Sequence, residues 1–174
     1  GRNQSRTTSC HHGLMSYDLD DAALDLLDSA PIIIAHHETV RAPVDAVWQA
    51  VSNPAPWEQW FSNVKSCGWT SDETRCVGAT RTIQVGPASF DERFIEWDEE
   101  AMRYHFVVTR TSLPIARRMV EGAEVTDNGD GTVVVTWRSG VEPRVRLIPK
   151  AMVRQSLEKG LARGFAGLQS YLDR

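Results

Sequence analysis

From residue 66 to about residue 143 the side-chain pattern repeats every second residue, and a chain patterned this way folds as a sheet. Six strands are expected, near 66–70, 79–85, 89–97, 102–111, 117–126 and 132–139. The breaks between them carry turn chemistry, in Val85-Gly86-Pro87, Asp98-Glu99-Glu100 and Asp127-Asn128-Gly129-Asp130-Gly131. The last of these is a strong hairpin signal. Tyr104, Phe106 and Val108 alternate with Arg103, His105 and Val107, while Val133, Val135 and Trp137 alternate with Val134, Thr136 and Arg138. The pleat therefore gives the sheet a distinct inner face. The period then changes once more. Over 149–172, Met152, Val153, Leu157, Leu161, Phe165, Leu168 and Leu172 recur every three or four residues. They predict one closing helix of about 35 Å, long enough to cross a small domain.

Ahead of the sheet the pattern is mixed. Residues 1–16 are polar and aperiodic, and read as a disordered arm, as residues ahead of a natural start at Met15, or as an expression remnant. Cys10-His11-His12 has no further ligands at zinc-site spacing, so no metal site is expected there. Over 18–28, acidic residues crowd the first turn and Leu19, Ala23, Leu26 and Leu27 share one face, which predicts a short amphipathic helix ended by Pro31. A strand is expected over 32–41; in it His36 and His37 point to opposite faces and cannot chelate together. Helices are expected over 42–51, with Pro43 near the first turn, and over 56–61, with Trp57, Trp60 and Phe61 on one face. The expected organisation is an arm over 1–30 and a single domain over 31–174.

Composition narrows the class. The chain has 174 residues and a formal net charge of −4, which fits one globular domain and gives no basic excess for a nucleic-acid partner. The longest apolar run, residues 30–35, is far short of the ~20 residues a membrane helix needs, so no integral membrane segment is expected. Three cysteines, Cys10, Cys67 and Cys76, do not form a secreted disulfide framework. Reduced thiols and a cytoplasmic protein without a signal peptide are expected, with a Cys67–Cys76 bridge as the alternative. The sequence leaves room for a homodimer.

The order of strand, two short helices, six antiparallel strands and a long helix packs naturally as an α+β fold, the last helix lying across a curved sheet. Over about residues 33–173 the chain resembles the helix-grip superfamily (SRPBCC) that includes START lipid-transfer domains, birch-pollen-type allergens and bacterial polyketide cyclase/dehydrase proteins. Six features in order carry the resemblance. They are the segment from Val40-Arg41-Ala42-Pro43 to Trp48, Asn53-Pro54 with Trp57 and Trp60, and Gly78-Ala79 before a long strand. Glu96-Trp97-Asp98 before a turn, Gly129-Asp130-Gly131-Thr132 before the last strand, and the closing stretch 161–172 complete the set. The resemblance implies a helix-grip fold, a curved seven-stranded antiparallel sheet wrapped around the C-terminal helix. A cone-shaped scytalone-dehydratase-like scaffold usually opens with helices and lacks the long closing helix, so the sequence argues against it.

The resemblance also implies a pocket between sheet and closing helix that takes an apolar small molecule such as a lipid, polyketide or isoprenoid. Candidates for its lining are Trp57, Trp60, Phe61, Phe90, Tyr104, Phe106, Trp137, Leu157, Leu161 and Phe165; each could instead be plain core. Trp57, Trp60 and Trp137 would also bring indole N–H donors. Gly160, Gly164 and Gly167 weaken a helix by about 1 kcal/mol each against Ala. They serve either close packing or a wall kept thin beside a cavity.

No nucleophile elbow, zinc-protease helix, phosphate loop or dinucleotide fingerprint is present, and no cofactor or metal is expected. The polar candidates for catalysis are Arg81, Glu92 and His105. Arg81 shares parity with Ile83 and Val85, so it could point inward, whereas the apolar parity of 90–97 switches between Phe94 and Ile95, which suggests a bulge or an edge and leaves the direction of Glu92 open. Arg81 and Glu92 are then either an inward pair that binds a ligand oxygen or moves a proton, or a cross-strand surface ion pair. Arg110, Arg117 and Arg118 form a basic cluster of the kind usually found on a solvated face. Three functions follow. A carrier would have few and peripheral polar groups in its pocket. A polyketide cyclase/dehydratase-type enzyme would have at least two titratable groups within hydrogen-bond reach at the floor. A protein-interaction role, as a chaperone cofactor or toxin-like partner, would show an exposed apolar patch.

Overall fold

A computed structural model describes residues 15–144 and 149–174. Its elements, in chain order, are β1 (Tyr17–Asp18), α1 (Leu26–Ser29), β2 (Ile32–Val40), α2 (Val44–Ser52), α3 (Trp57–Trp60) and β3 (Val64–Trp69). Next come β4 (Thr80–Val85), β5 (Ala88–Asp98), β6 (Arg103–Thr111), β7 (Ala116–Asp127), β8 (Val133–Pro143), α4 (Lys150–Phe165) and α5 (Leu168–Leu172).

The strands β3 to β8 form an antiparallel meander, and β2 joins beyond β8, giving the order β2-β8-β7-β6-β5-β4-β3. α2 and α3 carry the chain from β2 at one edge to β3 at the other. The seven-stranded sheet curves around the helices, and the fold is the helix-grip α+β arrangement. Its inner face buries Ile34, Phe94, Tyr104, Phe106, Val135 and Trp137 in one cluster with Val47, Val51, Trp57, Trp60, Phe165 and Leu168 from the helices. The hairpin 127–132 turns through Gly129 and Gly131, both at φ near +80° where only glycine is unstrained.

β5 carries the expected bulge. Register shifts fall between Asp91 and Glu92 and between Phe94 and Glu96. In the unbroken β4–β5 register Glu92 lies opposite Arg81, while past the bulges Trp97 returns to the inner face and stacks on Tyr104 at 5.3 Å. His36 and His37 do part: His36 packs 5.1 Å from Phe165 and His37 is exposed beside Thr136.

Two elements differ from the pattern reading. The amphipathic helix expected over 18–28 shrinks to the four residues of α1. Its acidic residues bind arginines across the outer face of the sheet instead of a helix dipole: Asp18 to Arg110, Asp20 to Arg117, Asp21 to Arg93 and Asp28 to Arg138, each 2.7–2.8 Å. β1 pairs with Thr111 and Arg110 of β6, and Leu19 and Asp20 donate backbone N–H bonds to Thr109 and Arg117. The segment therefore wedges into the fork where β6 leaves β7. Below it, Leu26, Leu27 and Ala30 bury against Val107 and Val120. Gly140 makes that contact feasible, since a Cβ there would stand 2.3 Å from the Leu26 carbonyl oxygen.

The closing helix is also two helices rather than one. α4 and α5 part at Ala166-Gly167, both with right-handed dihedrals. Position 167 suits only glycine, because a Cβ there would lie 2.2 Å from the carbonyl oxygen of Trp60. Cys67 and Cys76 are free thiols, so the alternative bridge is not formed. Cys10-His11-His12 lies outside the described residues. Among the described residues, no helix is long and apolar enough to cross a membrane.

Candidate functional site

The inner face is packed solid at one end and hollow at the other. At the solid end three aromatic polar atoms converge on the last turn of α2. The Trp57 indole and the Tyr104 hydroxyl both donate to the Val51 carbonyl, at 3.0 and 3.1 Å, and the Trp60 indole donates to that of Ala50 at 3.1 Å. Carbonyls at a helix C-terminus lack intrahelical partners, and these bonds satisfy them. Trp57 and Trp60 are therefore not free donors for a ligand, contrary to the sequence expectation.

At the other end α4 stands off the sheet over a cavity of about 220 Å³. Of the ten expected lining residues, six border it: Trp57, Phe61, Phe90, Trp137, Leu157 and Leu161. Trp60, Tyr104, Phe106 and Phe165 do not; each is at most 3% exposed and belongs to the packed core. The helix glycines divide the same way. Gly160 borders the cavity and a Cβ there meets no atom, whereas a Cβ on Gly164 would stand 2.2 Å from the Phe61 ring. A second hollow of about 390 Å³ adjoins along Met119, Ser156 and Leu157 and extends to Ile115, Met152 and Val153.

Polar groups sit at the cavity's inner surface. Arg81 and Glu92 face each other across β4 and β5 and are 1% and 4% exposed. Two guanidinium nitrogens, Nε and Nη2, approach the same Glu92 oxygen, Oε2, at 2.6 Å. The pair is buried, so the surface ion-pair reading fails. Burying a charge is costly unless it is paired, and here the rings of Trp57, Phe94 and Phe106 also surround the guanidinium at 5.1–5.3 Å. Burial pushes the Glu92 carboxyl up, and Arg81 offsets that only in part. Arg81 stays charged: burial opposes its charge, but the adjacent carboxylate outweighs it.

Among the described residues, two donors at this surface have no hydrogen-bond acceptor: Arg81 Nη1 and Trp137 Nε1. A buried donor without a partner costs about 1–3 kcal/mol, so such atoms usually mark a place where something else binds. Glu121 of β7 completes the group. It accepts from the Ser139 hydroxyl at 2.5 Å, and burial lifts its carboxyl to about 7, Ser139 pulling down and Glu92 pushing up. Trp137 lies near enough to favour the ionised form of Glu121 but completes no hydrogen bond to it.

The sequence reading did not single out Glu121 or Ser139, although the signal was present. Glu121 has the parity of Met119, Ala123 and Val125, and Ser139 that of Val135, Trp137 and Val141, all inward. The reading did single out His105, which the structure places away from the cavity. It lies on the outer face, Nδ1 2.6 Å from Glu96, with burial lowering its pKa against that carboxylate. Cys67, partly buried in β3, is no thiolate either, since burial pushes its thiol up to about 12.

A curved sheet gripping a terminal helix over a partly apolar hollow is the helix-grip arrangement, and comparison with known proteins places the chain in a family of that fold. Residues 31–173 match the family described as polyketide cyclase / dehydrase and lipid transport, and the chain belongs to it. Uncharacterized proteins of Mycobacterium bovis and Mycobacterium tuberculosis are 24% identical over 98 residues, covering 54% of this chain. The match spans 59% of the length of these relatives. Among solved structures, a START superfamily protein from Mycobacterium smegmatis superposes with a TM-score of 0.69 at 13% identity, covering 81% of this chain and 97% of its own. Ginseng major latex-like protein 151 from Panax ginseng gives 0.70 at 16%, covering 80% and 96%. The di-domain ARO/CYC BexL of the BE-7585A biosynthetic pathway gives 0.68 at 19%, covering 81% of this chain and 46% of that one. At these identities the superpositions establish the fold.

Proposed function

We propose that this protein binds a small, mostly apolar molecule in the cavity under α4, the polar end of the ligand directed at Arg81 and Trp137. The observation that carries this reading is two buried donors without acceptors on the wall of an otherwise largely apolar hollow. The family, described by both cyclase/dehydrase and lipid-transport activities, supports it. The cavity alone is below the ~300–1,000 Å³ usual for a drug-sized ligand, and the adjoining hollow of about 390 Å³ brings the space within that range. Gly160→Leu tests the reading, since the site has room for a Cβ and the longer side chain intrudes on the cavity. Native mass spectrometry and solvent extraction of the purified protein should find a small molecule on the wild type and lose it in this variant. Equal recovery from both would rule the cavity out as the binding site.

A second reading, an acid/base enzyme of the cyclase/dehydratase kind, is favoured by the depth of the titratable groups. A carrier needs only peripheral polar atoms, yet here Arg81 and Glu92 are buried and Glu121 lines the cavity beside them. In an aldol-type cyclisation, ionised Glu121 would take an α-proton while Arg81 Nη1 holds the enolate oxygen. The enolate carbon would then attack a second carbonyl of the same molecule, whose oxygen receives the proton from Glu121. Turnover of a poly-β-ketone analogue that is abolished in Glu121→Gln, while binding persists, would separate enzyme from carrier.

A further inference from the structure

Among the described residues, the cavity holds one guanidinium and two carboxyl groups. Glu92 already occupies two of the three guanidinium nitrogens. Among the described residues, no cation pairs with Glu121, which is held by a neutral hydroxyl. A carboxylate brought by a ligand would share that single Arg with Glu92 in a poorly solvated space, which is expensive. An ammonium would meet the orphan N–H groups of Arg81 and Trp137 head-on. What these atoms lack is an uncharged acceptor. We propose that Glu121 is a specificity-determining residue of this cavity, admitting a neutral molecule with a carbonyl-type oxygen and excluding carboxylates and amines. This rests on the reading of the cavity as an apolar ligand site.

Selection requires Glu121 to carry its proton, because its ionised form leaves the cavity with a net negative charge facing the ligand oxygen. The charged groups that face Glu121 are Arg81 on β4 and Glu92 on β5. β6 places Phe106 opposite it, β8 supplies Ser139 and Trp137, and α4 turns Ser156, Leu157, Gly160 and Leu161 to the cavity, none of them charged. With a carboxyl near 7, binding that demands the acid form is strong below neutrality and weakens as pH rises through it.

Calorimetric titration with three naphthalene probes tests this: 2-acetonaphthone, 2-naphthoate and 2-naphthylmethylamine, at pH 6 and pH 8. The ketone should bind at pH 6 at least tenfold tighter than either ion, and weaken by about tenfold on going to pH 8. Glu121→Gln should bind the ketone equally at both pH values. Ser139→Ala removes the bond that favours ionised Glu121, so it should move the midpoint of the pH dependence upward, a shift that mere loosening of the core would not produce. Naphthoate or the amine binding as tightly as the ketone, or a wild-type ketone affinity equal at both pH values, overturns the proposal while leaving the apolar site intact. Failure of all three probes to bind overturns both.

Discussion

One closing helical region meets the sheet in two opposite ways. Around Phe165 the contact is dense: the ring touches Trp60, Phe61, Trp137 and His36, with centroids 5.1–5.9 Å apart, and is fully buried. Two turns earlier, Leu157 and Leu161 are only partly covered and look onto empty space, and Gly160 touches nothing. Glycine serves both ends, once to let a ring come close and once to leave a gap. Stability therefore resides at the C-terminal end of the helix, and capacity for a guest at the N-terminal end.

The largest break in that comparison should come from Phe165→Ala. Truncating a buried aromatic in a packed core costs about 3–5 kcal/mol, read as a lower urea midpoint. Gly164→Ala should follow, destabilising by about 1 kcal/mol or more, because the stacked Phe61 ring must move and that overrides the gain in helix propensity. Glu121→Gln probes the hollow end through pH. The carboxyl is raised on folding, so the folded state keeps a proton that the unfolded chain releases, and the native protein loses stability as pH rises from the usual carboxylate range to about 7. The variant should melt a few degrees higher than wild type at pH 8 and no higher at pH 4, by differential scanning calorimetry. The smallest effects belong to the hollow: Gly160→Ala should gain up to about 1 kcal/mol from helix propensity. Leu157→Ala should lose less than about 1 kcal/mol, since it empties space that is already partly open.

Much of this architecture can be read from the residues. Alternating Val133, Val135 and Trp137 and the glycine turn before them specify β8, and the parity switch at Ile95 betrays the bulge that sets Trp97 inward. Parity also placed Arg81 inward, and it already set His105 against Tyr104 and Phe106. The remainder depended on distant partners that no local pattern records. The acidic residues at 18–28 are as suitable for a helix start as for arginines on other strands, and only the fold brings Arg93, Arg110, Arg117 and Arg138, one each from β5 to β8, to them. The glycine at 167 answers to one carbonyl of Trp60. Which indoles remain available depended on where α2 ends, since Val51 and Ala50 take up Trp57 and Trp60 and leave Trp137. Glu121 was legible in principle but carries no motif, and its meaning comes from sharing a cavity with Glu92.

The wedge of residues 17–20 between β6 and β7 has a consequence for how the molecule keeps to itself. The last β6–β7 pair is Val107 with Val120, and beyond it the two strands would present bare backbone donors and acceptors if that wedge were gone. An unpaired strand margin invites another copy to zip onto it. A chain shortened to begin at residue 31 keeps the gripping sheet and both closing helices, but it loses the plug in its own seam. Such a chain should self-associate in light scattering at concentrations where the full chain does not, with Leu113 and Ile115 exposed beside the opened seam.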